Sequence, residues 1–318
     1  MRIGYNTWSM ASVPYTEFIP GLADIGFTAI AISVVPGYHI GGQYVPNAVD
    51  QARLDADDRR RIRQGLEERG LELPSLIGNQ SLVEDDPDKN AAAMQRLRDS
   101  LDLCVELSPR NQSSLPTLNT GIAGRTGDLE SKRDVVLERL GNLADYAQQR
   151  GVTLCIEPHV GGAIDTIERA EYIISAVSKP SLRLDFDVSH FEVQCVPTEQ
   201  SVTRLAPLAA AAEIKDQHAR WADEGPAPED WLVPGNGVGR ASTPDGRALE
   251  FQFLLAGEGT FDLPNYLRLI TAQGFDAPIA FEVSVQCQAR PGYDALQAAR
   301  GIFQWMSDGW RTAGIPAE

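Results

Sequence analysis

Four successive apolar runs in the last two-thirds of the chain each finish on or near an acid. Glu157 lies in "TLCIEPHV" (153–160), Asp187 in "LRLDFDVSH" (182–190), Glu213 in "AAAAEIKD" (209–216) and Glu282 in "PIAFEVSV" (278–285). A lone acid at such a place is ordinarily a cap or a surface residue. If the runs are strands of one sheet, period-two alternation adds His159 beside Glu157, Asp185 beside Asp187, Lys215 beside Glu213 and Ser284 beside Glu282. Carboxylates converging on one pocket repel, and some stay protonated unless a cation compensates them. Hard oxygen donors suit Mg²⁺, Mn²⁺ or Co²⁺. His190, three residues past Asp187, is expected as a ligand or substrate contact. His218 lies beyond the run that carries Glu213 and is the weaker candidate.

Such a convergence requires parallel strands with a common carboxyl end. Besides those four runs, the chain offers "RIGYNTW" (2–8), "TAIAISVV" (28–35), "LELPSLIG" (71–78) and "PTLNTGIAG" (116–124), which makes eight; no ninth is expected. Helix-length amphipathic segments separate them. "DADDRRRIRQGLEERG" opens on acids and closes on Arg and Gly, in keeping with the macrodipole and a C-cap. "DPDKNAAAMQRLRDSLDLCVEL" and "LESKRDVVLERLGNLADYAQQRG" carry apolar residues at helical spacing. Alternation of β with α, repeated eight times, predicts an α/β fold, a (β/α)8 TIM barrel, as a single domain spanning 1–318. A doubly wound sheet would want a Gly-rich fingerprint after the first strand, and "GYNTWSMAS" has none. Residues 217–256, rich in Gly, Pro and Asp and bearing Trp221 and Trp231, form an insertion after the seventh strand. In a barrel this insertion sits over the active-site face, as a lid, an interface or a floppy excursion.

The bulk numbers narrow the function classes. The chain has 318 residues and a net charge of −16, which makes nucleic acid a poor partner. Cys104, Cys155, Cys195 and Cys287 are scattered without a CxxC, and are expected to be reduced and mostly buried. No apolar run is long enough to span a bilayer and the first ten residues lack a secretory h-region, so a cytoplasmic location is expected.

"IEPH", "DVSH", "EIKDQ", "FEV" and the "GEGTFD" lead into the last helix pair make the chain resemble the xylose isomerase-like superfamily, the sugar phosphate isomerase/epimerase group. That resemblance implies a divalent metal ion held by Glu157, Asp187, Glu213 and Glu282. Mn²⁺ is the leading expectation, with Mg²⁺, Co²⁺ or Zn²⁺ as alternatives. In the epimerase branch the strand-seven ligand is typically His. Here it is Glu213, so either the site is all-carboxylate or His218 or His190 completes the shell. The implied chemistry is proton transfer through a cis-enediolate, with Glu157 and Glu282 as ligands and acid/base groups, Lys215 stabilising an oxygen, and His159 bonding substrate. Trp8 and His39 are expected pocket walls. The implied partner is a small carbohydrate, in a homodimer or with a partner subunit. The alternative reading is a lyase acting on an oxidised (3-keto) sugar or C-glycoside. Abasic-site endonucleases share the barrel but use many histidines, whereas this chain has four. A non-enzymatic binding barrel would hold no metal.

Overall fold

The structure is a computed structural model that describes residues 2–112, 114–225, 231–243 and 246–316. The chain begins β1 (Ile3–Asn6), α1 (Tyr15–Ile25), β2 (Ala29–Ser33), β3 (Gly37–Ile40), β4 (Gln43–Pro46), α2 (Ala56–Arg69), β5 (Ser75–Ile77) and α3 (Pro87–Leu107). It continues with β6 (Thr117–Thr120), α4 (Asp128–Arg150), β7 (Leu154–Ile156), α5 (Ile167–Val177), β8 (Leu182–Asp187), α6 (Ser189–Glu192) and α7 (Thr198–Leu205). It ends with β9 (Ala209–Ile214), β10 (Asp216–Trp221), β11 (Gly239–Ser242), β12 (Ala248–Leu254), α8 (Leu263–Ala272), β13 (Ile279–Phe281), α9 (Val285–Gln288) and α10 (Ala295–Ala313). Strands β1, β2, β5, β6, β7, β8, β9 and β13 pair in parallel, in chain order, and β13 returns to β1 to close the barrel. This is the (β/α)8 architecture that the alternation predicts.

The helices begin and end where local chemistry sets them. Asp55 caps α2 in a reciprocal box with Asp58, and Gly70 closes it in the left-handed conformation. Asp86 caps α3 by accepting the Asp88 and Lys89 N–H groups, with Pro87 in the first turn. Alternation along each barrel strand then divides the side chains. Tyr5, Ile30, Ile32, Leu76, Leu118, Leu154, Ile156, Leu184, Phe186, Ile214 and Phe281 join the large core against the helices. Ala31, Ile77 and Ala280 form a separate small cluster, covered by Trp8. Most of the large apolar residues therefore pack outward, and the bore is left to small or polar residues together with Ile77, where bulky apolar side chains are the usual filling.

The sequence predicts no ninth strand, and here the structure differs. Five more strands lie outside the barrel. β3 and β4 form an antiparallel hairpin after β2, turned by Gly41 and Gly42, both at positive φ as a tight primed turn requires. β10, β12 and β11 form an antiparallel sheet in that order. The expected 217–256 insertion thus carries a three-stranded sheet; its residues 226–230 and 244–245 lie outside the described residues. β10 begins two residues after β9 ends, so strand seven leaves the barrel directly into the insertion.

The return of the insertion is pinned by Asp216. Its buried carboxylate accepts backbone N–H groups from Gln217 at 2.9 Å, Gly257 at 2.8 Å, Gly259 at 2.8 Å and Phe261 at 3.1 Å. A Cβ on Gly259 would collide with that carboxylate, which accounts for the second glycine of "GEGTFD". Asp262 of the same motif caps α8 through the Asn265 N–H. Three cysteines are buried as expected, but Cys195 is exposed; all four are free thiols.

Candidate metal and active site

The carboxyl ends of β7, β8, β9 and β13 bring the four predicted acids together. Asp187 is level with Glu213 across β8 and β9. Phe281 pairs with Ile214, which sets Glu282 alongside Lys215 on the next rung. Oxygens of Glu157, Glu213 and Glu282 all lie within 4.8 Å of one another, as do ligand atoms of Glu157, Asp187 and His190. Glu157 belongs to both triads, and every member is buried except the half-buried Glu282.

Neutral and cationic groups tie the cluster down. Lys215 Nζ donates to Asp187 Oδ2 and lies 3.2 Å from Glu282 Oε1. The His190 Nε2 atom is 3.2 Å from Glu157 Oε1 and 3.6 Å from Asp187 Oδ2. Asp187 Oδ1 accepts from the Ser189 N–H at 2.9 Å and its hydroxyl at 2.5 Å. Asn6, at the end of β1, donates to Glu213 Oε1 at 2.8 Å and Glu282 Oε2 at 3.2 Å. Asn119 on β6 donates to Glu157 Oε2 at 3.4 Å.

These contacts divide the acids electrostatically. Burial opposes ionisation of Glu157, but the His190 hydrogen bond and the Lys215 charge outweigh it and hold the carboxyl down, at about 2. Burial opposes ionisation of Asp187 as well, and Lys215 overrides it, keeping this acid below its ordinary value. At Glu213 the Lys215 charge does not prevail. Burial, then Asp185, Glu282 and Glu157, push it well above the carboxylate range. Asp185, deeper on β8, is pushed well up by burial and by Glu157, Asp187 and Glu282. Lys215 is held well above its ordinary value because Asp187 and Glu282 outweigh the effect of burial.

One ammonium does not satisfy this ring. Glu213 Oε2 and both oxygens of Asp185 are buried without a hydrogen-bond donor. Orphaned buried acceptors, beside two triads of hard donors, fit a divalent cation. Glu157, Asp187, Glu213 and Glu282, with His190 adjoining, are the residues that would hold one.

The remaining predicted residues are placed as follows. His159 follows Glu157 in the loop after β7, exposed, with its ring centre 3.9 Å from that of His190. Trp8, on the turn after β1, is half-buried and stacks on Tyr38 at 4.2 Å. His218 lies on β10, outside the acid ring, stacked on Trp231 at 5.5 Å. His39, expected as a pocket wall, is exposed on the β3–β4 hairpin with its ring edge-on to Tyr44. Its neighbour Tyr38 takes the place against Trp8. Sequence reasoning missed Asn6, Asn119, Ser189 and Tyr38. A neutral polar residue inside a buried strand was the available signal for the two asparagines.

A cavity of about 590 Å³ opens beside Glu157 and His159, bounded by Asn79, Gln80, Ile122 and Ile164. A second, of about 580 Å³, lies between the insertion sheet and the loop carrying Arg125 and Thr126.

A family model described as xylose isomerase-like TIM barrel matches residues 21–307. No curated protein matches the chain. Among solved structures, the apo 3-keto-D-glucoside 4-epimerase YcjR from E. coli superposes with a TM-score of 0.68 and 14% identity, covering 97% of this chain and 99% of its own. A D-psicose 3-epimerase determined in the presence of D-fructose gives 0.71 and 12% identity, over 99% and 100%. A xylose isomerase-like TIM barrel protein from Mycobacterium smegmatis, in complex with magnesium, gives 0.64 and 17%, over 98% and 97%. At these identities the likeness establishes the fold. No helix among the described residues is long and apolar enough to cross a membrane.

Proposed function

The chain belongs to the xylose isomerase-like TIM barrel family, and from that membership we propose that it is a divalent-metal-dependent isomerase or epimerase of a sugar, keto-sugar or polyol. The observation that carries the proposal is the pair of triads sharing Glu157, with buried oxygens that no protein donor satisfies. Sugar epimerases are among its structural neighbours, and one neighbour is in complex with magnesium. When bound, the ion supplies electrophilic polarisation of a carbonyl and the adjacent hydroxyl. Mn²⁺ is the metal we favour.

The protein's own groups carry the protons. Glu157 arrives from β7 and Glu282 from β13, with β8 and β9 between them. In this reading one carboxylate takes the proton from the carbon next to the carbonyl, and the other returns it to the opposite face. Lys215, between Asp187 and Glu282, donates to the oxygen on which negative charge develops. In the same reading His159, at the rim of the 590 Å³ cavity, bonds a substrate hydroxyl, and Trp8, packed on Ala31, Ile77 and Ala280 and stacked on Tyr38, is a substrate wall.

The test is elemental analysis of protein reconstituted with Mn²⁺, followed by deuterium wash-in from D₂O over a panel of ketoses and 3-keto-glycosides. Expected are about one bound divalent ion and exchange at a carbon next to a carbonyl. A protein that retains no divalent ion, or that shows no exchange anywhere on the panel, would overturn the proposal. Release of the aglycone from a 3-keto-glycoside would replace it with the lyase reading.

A further inference from the structure

The cavity beside the acid ring is larger than a single sugar ring. A monosaccharide displaces roughly 150–200 Å³, below the ~300–1,000 Å³ typical of pockets that enclose larger organic ligands. The cavity next to Glu157 has about 590 Å³ and shares Gly161 with the second, of about 580 Å³. No heavy atom lies within 4 Å of a Cβ built on Gly161, so side-chain space is open where the two adjoin. Taken as one trough, the adjoining cavities reach from Glu157 to the insertion sheet.

Its lining changes along its length. Ile122, Val160, Ala163 and Ile164 make the inner wall apolar beyond the carboxylates. Arg125 and Arg240 face the outer end, with Thr126 and Ser242. Arg240 is 3.2 Å from Glu250 and largely exposed. Glu250 lines the same cavity and pairs with Arg240, which leaves Arg125 as the cation there without an ion-pair partner among the described residues. The outer half exists only because strand seven runs on into β10–β12, so the insertion acquires a role that the acid ring alone does not need.

We propose that the substrate is a glycoside, not a free monosaccharide. Its sugar unit sits on the acid ring, and its second, ring-sized group passes the Ile122–Ile164 wall to present a carboxylate or other anionic group to Arg125 and Arg240. This rests on the sugar-handling reading above and specifies its substrate class.

The experiment measures binding by calorimetry to the Mn²⁺-loaded full chain, for a panel of 4-carboxyphenyl glycosides and the matching free sugars. Deuterium wash-in is run in parallel on the 3-keto forms. At least one carboxyphenyl glycoside is expected to bind ten-fold or more tightly than its free sugar. Arg125→Ala and, separately, Ser242→Trp are each expected to cut that preference at least five-fold; both positions are exposed, and either variant suffices. Equal binding of glycoside and free sugar, or a preference that both variants leave intact, overturns the inference. Exchange on free ketoses alone also overturns it while leaving the proposed function standing. Preferential glycoside binding with no exchange on any substrate supports the trough and overturns the proposed function.

Discussion

Glu213→Gln separates a ligand from a merely buried acid. In the metal-free protein, Glu213 Oε1 accepts from Asn6 and Oε2 has no partner. Burial and the acids around it push the carboxyl well above the ordinary range. Raising the folded-state value of a carboxyl makes folding take up protons. Stability is then full below about pH 4.5 and is lost as pH rises toward the folded value, at about 1.4 kcal/mol per unit. A glutamine keeps the Asn6 contact and removes that loss. The chelated variant is therefore expected to be more stable than wild type at pH 7.5, by on the order of 1–3 kcal/mol and a few degrees in Tm. The cation response moves the other way. At a Mn²⁺ concentration of about one hundred times the wild-type Kd, binding stabilises by about 2.7 kcal/mol. Weakening the site about one hundred-fold by loss of an anionic donor leaves about 0.4 kcal/mol. Differential scanning fluorimetry in EDTA and in Mn²⁺ reads both. A variant that is less stable than wild type in EDTA, or that keeps the full Mn²⁺ shift, refutes the reasoning.

Three further outcomes are expected. Lys215→Met leaves Asp187 and Glu282 without their cation and should lower stability in EDTA by about 3–5 kcal/mol in urea titrations, with part regained on adding Mn²⁺. Asp216→Ala orphans the backbone N–H groups of Gln217, Gly257, Gly259 and Phe261; a loss of about 3 kcal/mol or more is expected, and a loss under about 1 kcal/mol would count against the pin. Burial raises Glu192 to about 7 despite hydrogen bonds from Thr198 and Gln217. Its contribution is therefore present below about pH 4.5 and lost as pH rises through 7; Glu192→Gln should flatten the chelated protein's stability between pH 5 and 8, measured by urea unfolding.

The barrel was legible because its strands and helices differ in period as well as in composition, and every predicted helical segment became a helix. The acids were legible because polar residues late in apolar runs oppose the burial around them. Their supports were not. Asn6 meets Glu213 across 207 residues of chain, a contact created by barrel closure and invisible to local pattern. The β3–β4 hairpin went unread because its strands are four residues each, without an apolar run, and only Gly41-Gly42 marks it. His218 was drawn toward the site by adjacency in sequence, whereas β10 carries it away from the bore. The insertion's composition suggested loop because its Gly and Pro residues cluster between the strands instead of within them.

Strand seven makes one stiff link out of two regions that the chemistry would otherwise keep apart. Glu213 and Lys215 stand at one end of it, and β10, the floor of the insertion sheet, begins at the very next residue, with Asp216 clamping the junction. Whatever tilts that sheet must pull on the ammonium and the strand-seven carboxylate together. By thermodynamic reciprocity, a guest whose binding shifts the sheet and with it the acid ring would alter the grip on a bound cation by the same factor that the cation alters the grip on the guest.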